Sequence, residues 1–236
     1  MKVHREGIRI IRQLSVAVLL IVLIINIFLP HQTIFHLLLY LAGALFIASV
    51  VYFFRKMDRK GSDDPGAVLS AADGKVVRIV EVFEDEYFKD QCIVISVFMS
   101  LLDMHVNLYP VKGKIVYVQY HPGKFFLAYH PKSSKLNEHH SIVIQTPEGF
   151  QILLRQIAGG LARRIVSTAE PGDEVEKGQE IGIIKFGSRL DMFLPPDCSV
   201  KVKVGQRVRC GETIIAMMPL IPRESSRVRR KSLLQT

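Results

Sequence analysis

Two runs of almost wholly apolar residues near the N-terminus constrain this chain more than any other feature. Residues 14–29, LSVAVLLIVLIINIFL, and 33–54, TIFHLLLYLAGALFIASVVYFF, are separated only by Pro30, His31 and Gln32. A backbone in hydrocarbon must satisfy its own polar groups, so runs of this kind become helices. At 1.5 Å per residue the second reaches about 33 Å and spans a bilayer core, while the first reaches about 24 Å and is marginal. The short connection predicts a transmembrane α-hairpin over residues 1–60. Arg5, Arg9 and Arg12 precede the first run, and Arg55, Lys56, Arg59 and Lys60 follow the second. Positive flanks on both outer ends put the rest of the chain on the cytoplasmic side of the cell (inner) membrane. A signal peptide is disfavoured, because no small-x-small site follows a short apolar stretch and the second run would be unexplained. Asn26 and His36 lie near the turn and are expected to meet headgroups.

Of the 236 residues, 61–222 amount to about one domain, and 223–236 form a basic tail, read as a membrane-contacting segment. Between glycine-bearing turns the domain repeats short Val- and Ile-rich runs, among them GKVVRIVEVF, CIVISVFM, SIVIQT and SVKVKV. Their length and spacing predict a mainly β fold, a β-sandwich or distorted barrel. PGDEVEKGQEIGII and KVGQRVRCGETIIAMM share one pattern, echoed more weakly in PVKGKIVYV, and such hairpins are typical of lipoyl- and biotinyl-like half-barrels. GGLARRIVSTAE, residues 159–170, is the best helical candidate.

The net charge is +9, but Lys and Arg gather at the two ends and beside apolar stretches instead of alternating with aromatics. That distribution suits an anionic membrane and argues against nucleic acid. Cys92, Cys198 and Cys210 include no CxxC pair, so neither a disulfide framework nor a zinc knuckle is signalled. No metal is expected either: His121, His130, His139 and His140 are read as lying on loops without an acidic partner pattern.

One further stretch, IIKFGSRLDMFLP at 183–195, breaks an apolar run at Gly187-Ser188 and resumes it with Arg189 and Asp191. A bulge or turn explains such a break. A Gly-Ser bond also has its own chemistry. Nothing shields the Gly187 carbonyl, and in a strained turn the Ser188 hydroxyl could attack it with help from a base, exchanging amide for ester. Elimination at Ser188 would then release the upstream chain as a carboxylate, and loss of ammonia would leave a pyruvoyl ketone, an electron sink like that of a pyridoxal cofactor.

Six stretches occur in order: SAADGKV (70–76), SVFMSLLDMHVNLYPVKGKI (96–115), HPGKF (121–125), HPKSSKLNEHH (130–140), RQIAGGLARRI (155–165) and GDEVEKGQEIGIIKFGSRLDMFLP (172–195). Together they resemble the short bacterial and archaeal type of phosphatidylserine decarboxylase, a pyruvoyl-dependent, self-cleaving proenzyme, over about Ala67 to Pro219. The resemblance implies scission between Gly187 and Ser188 into a β chain, 1–187, and an α chain, 188–236, that stay together as a heterodimer, with further oligomerisation left open. The pyruvoyl group made from Ser188 would form a Schiff base with phosphatidylserine and yield phosphatidylethanolamine and CO2. It further implies that Asp73 and a histidine activate the serine, and that Asp103 and His105 lie near the substrate. Leu108 stands where a second histidine of that motif would fall, which leaves the base open between His105 and the less supported His140. Lys124, Arg155, Arg163, Arg164 and Arg189 are candidates for the phosphate or carboxylate of the substrate, Lys124, Arg155 and Arg189 foremost. The alternative is a membrane-anchored lipoyl- or biotinyl-like carrier or adaptor, which would need an intact chain and an exposed lysine at a hairpin tip.

Overall fold

A computed structural model describes residues 2–59, 61–123, 137–159, 164–185 and 188–219. The chain forms two compact units, Met1–Asp58 and Arg59–Thr236.

The first unit comprises β1 (Lys2–Val3), α1 (Arg5–Phe28), α2 (Ile34–Phe53) and β2 (Arg55–Lys56). Both helices are long and apolar enough to cross a membrane. Helix α1 starts at Arg5, upstream of the apolar run, so its 24 residues reach about 36 Å, although the added part carries Arg5, Arg9 and Arg12. Asn26 and His36 tie the turn together. Thr33 N–H donates to His36 Nδ1 at 3.2 Å, His36 Nε2 meets the Leu29 carbonyl at 3.0 Å, and Tyr40 donates to Asn26 Oδ1 at 2.8 Å. These bonds satisfy backbone groups that a helix end leaves without partners.

The second unit is built from β3 (Ala67–Leu69), β4 (Gly74–Glu84), β5 (Asp90–Met99), β6 (Val106–Leu108), β7 (Gly113–His121), β8 (His139–Gln145), β9 (Gln151–Ala158), β10 (Ile165–Ser167), β11 (Glu174–Val175), β12 (Glu180–Ile184), β13 (Ser188–Leu194), β14 (Ser199–Val200), β15 (Arg207–Val208) and β16 (Ile214–Met217). Eight strands form one curled antiparallel sheet in the order β11-β7-β8-β9-β13-β5-β4-β15, and two three-stranded sheets, β10-β12-β6 and β14-β16-β3, complete the unit. Ile95, Ile142, Leu154, Leu190 and Met192 from the large sheet join Val68, Ile181, Ile184 and Ala216 of the small ones in a single core. The fold is mainly β, with a half-barrel curl to its large sheet.

The helix expected over 159–170 is not formed in its described part. Ile165 and Val166 instead pair with Ile184 and Ile183 in β10-β12, where β-branched side chains fit best. Residues 160–163, Arg163 among them, lie outside the described residues.

The sequence echo between the two hairpins corresponds to a repeated backbone arrangement. Gly205 and Gly211 donate to the carbonyls of Val76 and Ser70, and Gly172 and Gly178 donate to those of Ile115 and Tyr109, each at 2.8 Å. Val208 pairs with Gly74 and Val175 with Gly113, and β4 and β7 each carry a register shift, after Val76 and after Ile115. At Gly74 and Gly113 a Cβ would lie 2.1 and 2.2 Å from the carbonyl oxygens of Phe98 and Gln145, so both sites require glycine.

Candidate active site

Strand β13 lies in the middle of the large sheet, paired along its length with β5 and β9. Side chains alternate across a strand. Ser188, Leu190, Met192 and Leu194 therefore face the main core, and Arg189, Asp191 and Phe193 face the other way.

On the core side, Ser188 is fully buried and its Oγ donates to Met99 Sδ at 3.8 Å, a weak acceptor. Asn107 Nδ2 donates to the same sulfur at 3.6 Å, and Gln156 Nε2 donates to Asn107 Oδ1 at 2.8 Å. Gln156 pairs with both Leu190 and His140. His140 Nδ1 and Gln156 Oε1 are buried without a hydrogen-bond partner among the described residues. Burial holds His140 below the ordinary histidine value, the nearby Gln156 side chain partly offsetting it. The two side chains interact with each other too loosely to make a well-formed hydrogen bond, and buried polar groups left this poorly matched are costly, so the pair can take on another polar group.

His105 approaches the same segment by its backbone. It is fully buried, and its carbonyl accepts the Ile184 N–H at 3.2 Å, just before the chain runs to Ser188. Its Nδ1 lies 3.0 Å from the Asp103 carbonyl. A carbonyl can only accept, so Nδ1 carries the proton and Nε2 is the basic nitrogen.

The two aspartates are held elsewhere. The Asp103 carboxylate accepts from Ser100 N at 2.9 Å and Ser100 Oγ at 2.6 Å, which caps the turn after β5, and from Arg207 at 2.6 Å. Asp73 accepts from Cys210 N–H at 2.7 Å and from both arms of the Arg59 guanidinium. Burial opposes the charge on Arg59, but Asp73 and Glu212 raise its pKa nonetheless. Asp73 precedes Gly74 in β4, two strands from β13 and about 10 Å away.

Arg155 and Arg189 occupy the opposite face. Arg189 forks onto Asp191 with bonds of 2.8 and 3.0 Å, both side chains buried. Arg155, cross-strand from Asp191, donates to Glu84, Glu86 and Ser141 and lies over the Phe193 ring. Burial would raise the pKa of Glu86, but His121, Arg155 and Ser141 outweigh it and lower it. Arg164 is exposed beside β10, while Lys124 and Gly187 lie outside the described residues.

The reading of His121, His139 and His140 as loop residues is corrected here, while His130 lies outside the described residues. His121 closes β7, His139 and His140 open β8, and Glu86 supplies an acidic partner; ligand atoms of Glu86, His121 and His139 lie within 4.8 Å of one another. The His121 and His139 rings are stacked, with centroids 4.4 Å apart and planes 17° from parallel. An ion lies near the plane of each imidazole that binds it, so one ring must turn before both could hold a single ion. His139 is kept below its ordinary value first by burial, then by the charges of Arg155 and His121.

A profile of the phosphatidylserine decarboxylase family matches residues 46–216. The chain belongs to the phosphatidylserine decarboxylase family. It is 44% identical over 222 residues to the phosphatidylserine decarboxylase proenzyme of Amoebophilus asiaticus, covering 92% of this chain and 96% of that one. The proenzymes of Cytophaga hutchinsonii (43% identity, 92% and 98% covered) and Porphyromonas gingivalis (41%, 93% and 100%) are similar to nearly the same extent. The activity is thus that of a lyase of phospholipid biosynthesis, which removes CO2 from the serine headgroup of phosphatidylserine and leaves phosphatidylethanolamine. The carrier alternative is not favoured. Lys177, the tip lysine it would use, is turned onto the Ser62 and Asp64 carbonyls.

Asn107 and Gln156 were not singled out from the sequence, although DMHVNL and RQIAGG contain them. Gln156 follows Arg155 in β9, and the period of two was the signal that one faces Ser188 when the other does not.

Proposed function

We propose that this decarboxylase severs its own backbone between Gly187 and Ser188 and that residue 188 thereby becomes its pyruvoyl group. The observation that carries this reading is the setting of Ser188: a buried hydroxyl at the start of a central strand, offered only a thioether among the described residues, near polar atoms of His140 and Gln156 that lack a hydrogen-bond partner among them. A small electrophilic carbonyl with its own hydrogen-bonding needs fits that place. His105 Nε2 takes the Ser188 Oγ proton as Oγ bonds to the Gly187 carbonyl carbon and gives it to the Ser188 nitrogen as the C–N bond breaks. Loss of the Ser188 Cα proton then expels Gly187 as a carboxylate, and water releases ammonia to leave the ketone.

When formed, the pyruvoyl group supplies a carbonyl that captures the serine amine and accepts the electron pair left by CO2. His105 Nε2 returns a proton to the carbon that lost CO2, with a ring suited to transfer near neutral pH. Asp103 orients that ring through its carbonyl, and Asp73 fixes the turn before β4. Arg155 and Arg189 hold β13 from behind, so Lys124 remains the foremost candidate for the acidic groups of the substrate. The two pieces, 1–187 and 188–236, remain one heterodimer. The apolar helices keep the domain at the cytoplasmic surface of the inner membrane, where tethering raises the effective concentration of substrate.

Intact-mass spectrometry of the purified protein beside Ser188→Ala tests the proposal. Two chains of about 21 and 5 kDa, at roughly 110 Da per residue, with a borohydride-reactive N-terminus on the smaller, are expected for the parent and one chain for the variant. A parent that decarboxylates as a single unbroken chain would overturn it. His105→Gln is expected to slow both steps; scission and decarboxylation at the parent rates would remove His105 from the mechanism.

A further inference from the structure

The turn that links β5 to the candidate site carries an unexplained feature. Asp103 N–H donates to the Ser100 carbonyl at 2.9 Å, and the Asp103 carboxylate caps Ser100, so the turn is tightly fixed. At its tip stand Leu101 and Leu102, 48% and 72% exposed. A fixed turn of this kind is ordinarily made from polar residues and glycine, and holding two leucines rigidly in water gains nothing for the fold.

The location of the tip narrows its partner. Met99, which receives the Ser188 hydroxyl, lies two residues before Leu101, and His105 lies three residues after Leu102. The tip thus joins the strand that carries Met99 to the segment that carries His105. Arg207 reaches the turn through Asp103 while remaining 69% exposed, and Lys75, its cross-strand partner, is exposed as well. Val204, 58% exposed, projects from the neighbouring turn, whose Gly205 approaches the Lys75 side chain. Apolar side chains at a tip with cations immediately behind them match an anionic bilayer interface, where the former enter the acyl boundary and the latter meet the headgroups.

We propose that the Leu101-Leu102 turn inserts into the membrane interface and admits the phosphatidylserine headgroup to the buried site while its acyl chains stay in the bilayer. This rests on the reading of Ser188 as the reacting residue, and it assigns to the β-domain a lipid contact of its own, separate from the apolar helices. Sinking the turn a few ångströms is far cheaper than drawing two acyl chains into water, because each exposed methylene adds to the cost of the latter.

The chain has no tryptophan, so Leu102→Trp places a sole fluorescent reporter at the tip. The full chain is reconstituted in vesicles of phosphatidylcholine and phosphatidylglycerol, with lipids brominated near the headgroup end of the acyl chains as quenchers. Phe83→Trp is the control, since Phe83 is exposed at the other end of the β4-β5 hairpin, about 27 Å along the strand. Blue-shifted, quenched emission at position 102 with unquenched emission at 83 is expected. Unquenched emission at 102 in membrane-bound protein overturns the proposal, and quenching abolished by a soluble protein additive would identify a protein partner instead and overturn it equally.

Leu101→Ser with Leu102→Ser supplies the kinetic arm. About a tenfold loss of rate on vesicle-borne phosphatidylserine is expected, with the rate on monomeric short-chain phosphatidylserine unchanged. Equal loss on both substrates would overturn the proposal in favour of a role in packing. Activity of the parent on the monomeric substrate checks the reading of Ser188 independently. If the double variant does not cleave at residue 188, quenching at position 102 decides alone.

Discussion

The two faces of strand β13 are built on opposite rules. Behind it, Arg189, Asp191, Arg155, Glu84, Glu86 and Ser141 are joined in buried ion pairs and hydrogen bonds at 2.6 to 3.2 Å. In front, Ser188 and Asn107 share one thioether, and His140 Nδ1 and Gln156 Oε1 lack hydrogen-bond partners among the described residues. A satisfied polar network fixes a strand, whereas an unsatisfied one is poised to take on a new group. The charged pair beside Gly187-Ser188 therefore answers for rigidity, and the chemistry is proposed for the serine.

The largest effect expected from this contrast is at Ser188→Ala, which should abolish scission and all decarboxylation, read by denaturing gel and CO2 release. Asp191→Ala attacks the other face. It removes the carboxylate onto which the buried Arg189 guanidinium forks and should lower stability by about 1–3 kcal/mol in denaturant titrations, while protein that folds still cleaves. If Asp191→Ala kept its stability but lost activity, the division between the faces would fail. Gln156→Leu probes the front more gently. Asn107 Oδ1 loses its donor, at a cost of about 1–2 kcal/mol, and scission should slow.

The smallest expected effect is a pH dependence. His139 and His140 both have folded-state pKa values depressed below 6.5 by burial. The unfolded chain then binds more protons below about that pH, so their contribution to stability is fully present above it and is lost as pH falls toward the folded values. The melting temperature should decline on acidification through this window, less steeply in His140→Leu. A flat profile would mean that these histidines accept protons freely while folded.

Much of this was legible in the residues themselves. Val- and Ile-rich runs between glycines marked the strands because a pleated, half-buried surface selects those side chains. Gly187-Ser188 stood out because it interrupted such a run. Arg155 and Arg189 drew attention as cations, yet the alternation from Ser188 to Leu194 already implied that Arg189 turns away from Ser188. The Glu86, His121 and His139 cluster could not be read from spacing, since three separate elements bring it together. Ile165 and Val166 resembled a helix beside Arg163 and Arg164, but their pairing with β12 overrode local propensity. Asn107 and Gln156 meet only through tertiary packing, 49 residues apart in the chain.

The central position of β13 has a consequence for the lifetime of the proposed two-chain form. The smaller piece would contribute β13 to the middle of the large sheet, between β5 and β9, add β15 to one edge of it, and pair β16, flanked by β14, with β3. Breaking the chain at 187 thus costs the native state none of its strand pairing, but it changes the order of the folding reaction. The unbroken chain assembles by a concentration-independent route, whereas the severed one must find its partner and reinsert an interior strand. Once denatured, the mature protein should recover slowly, and more slowly the more it is diluted, so its persistence depends on never unfolding.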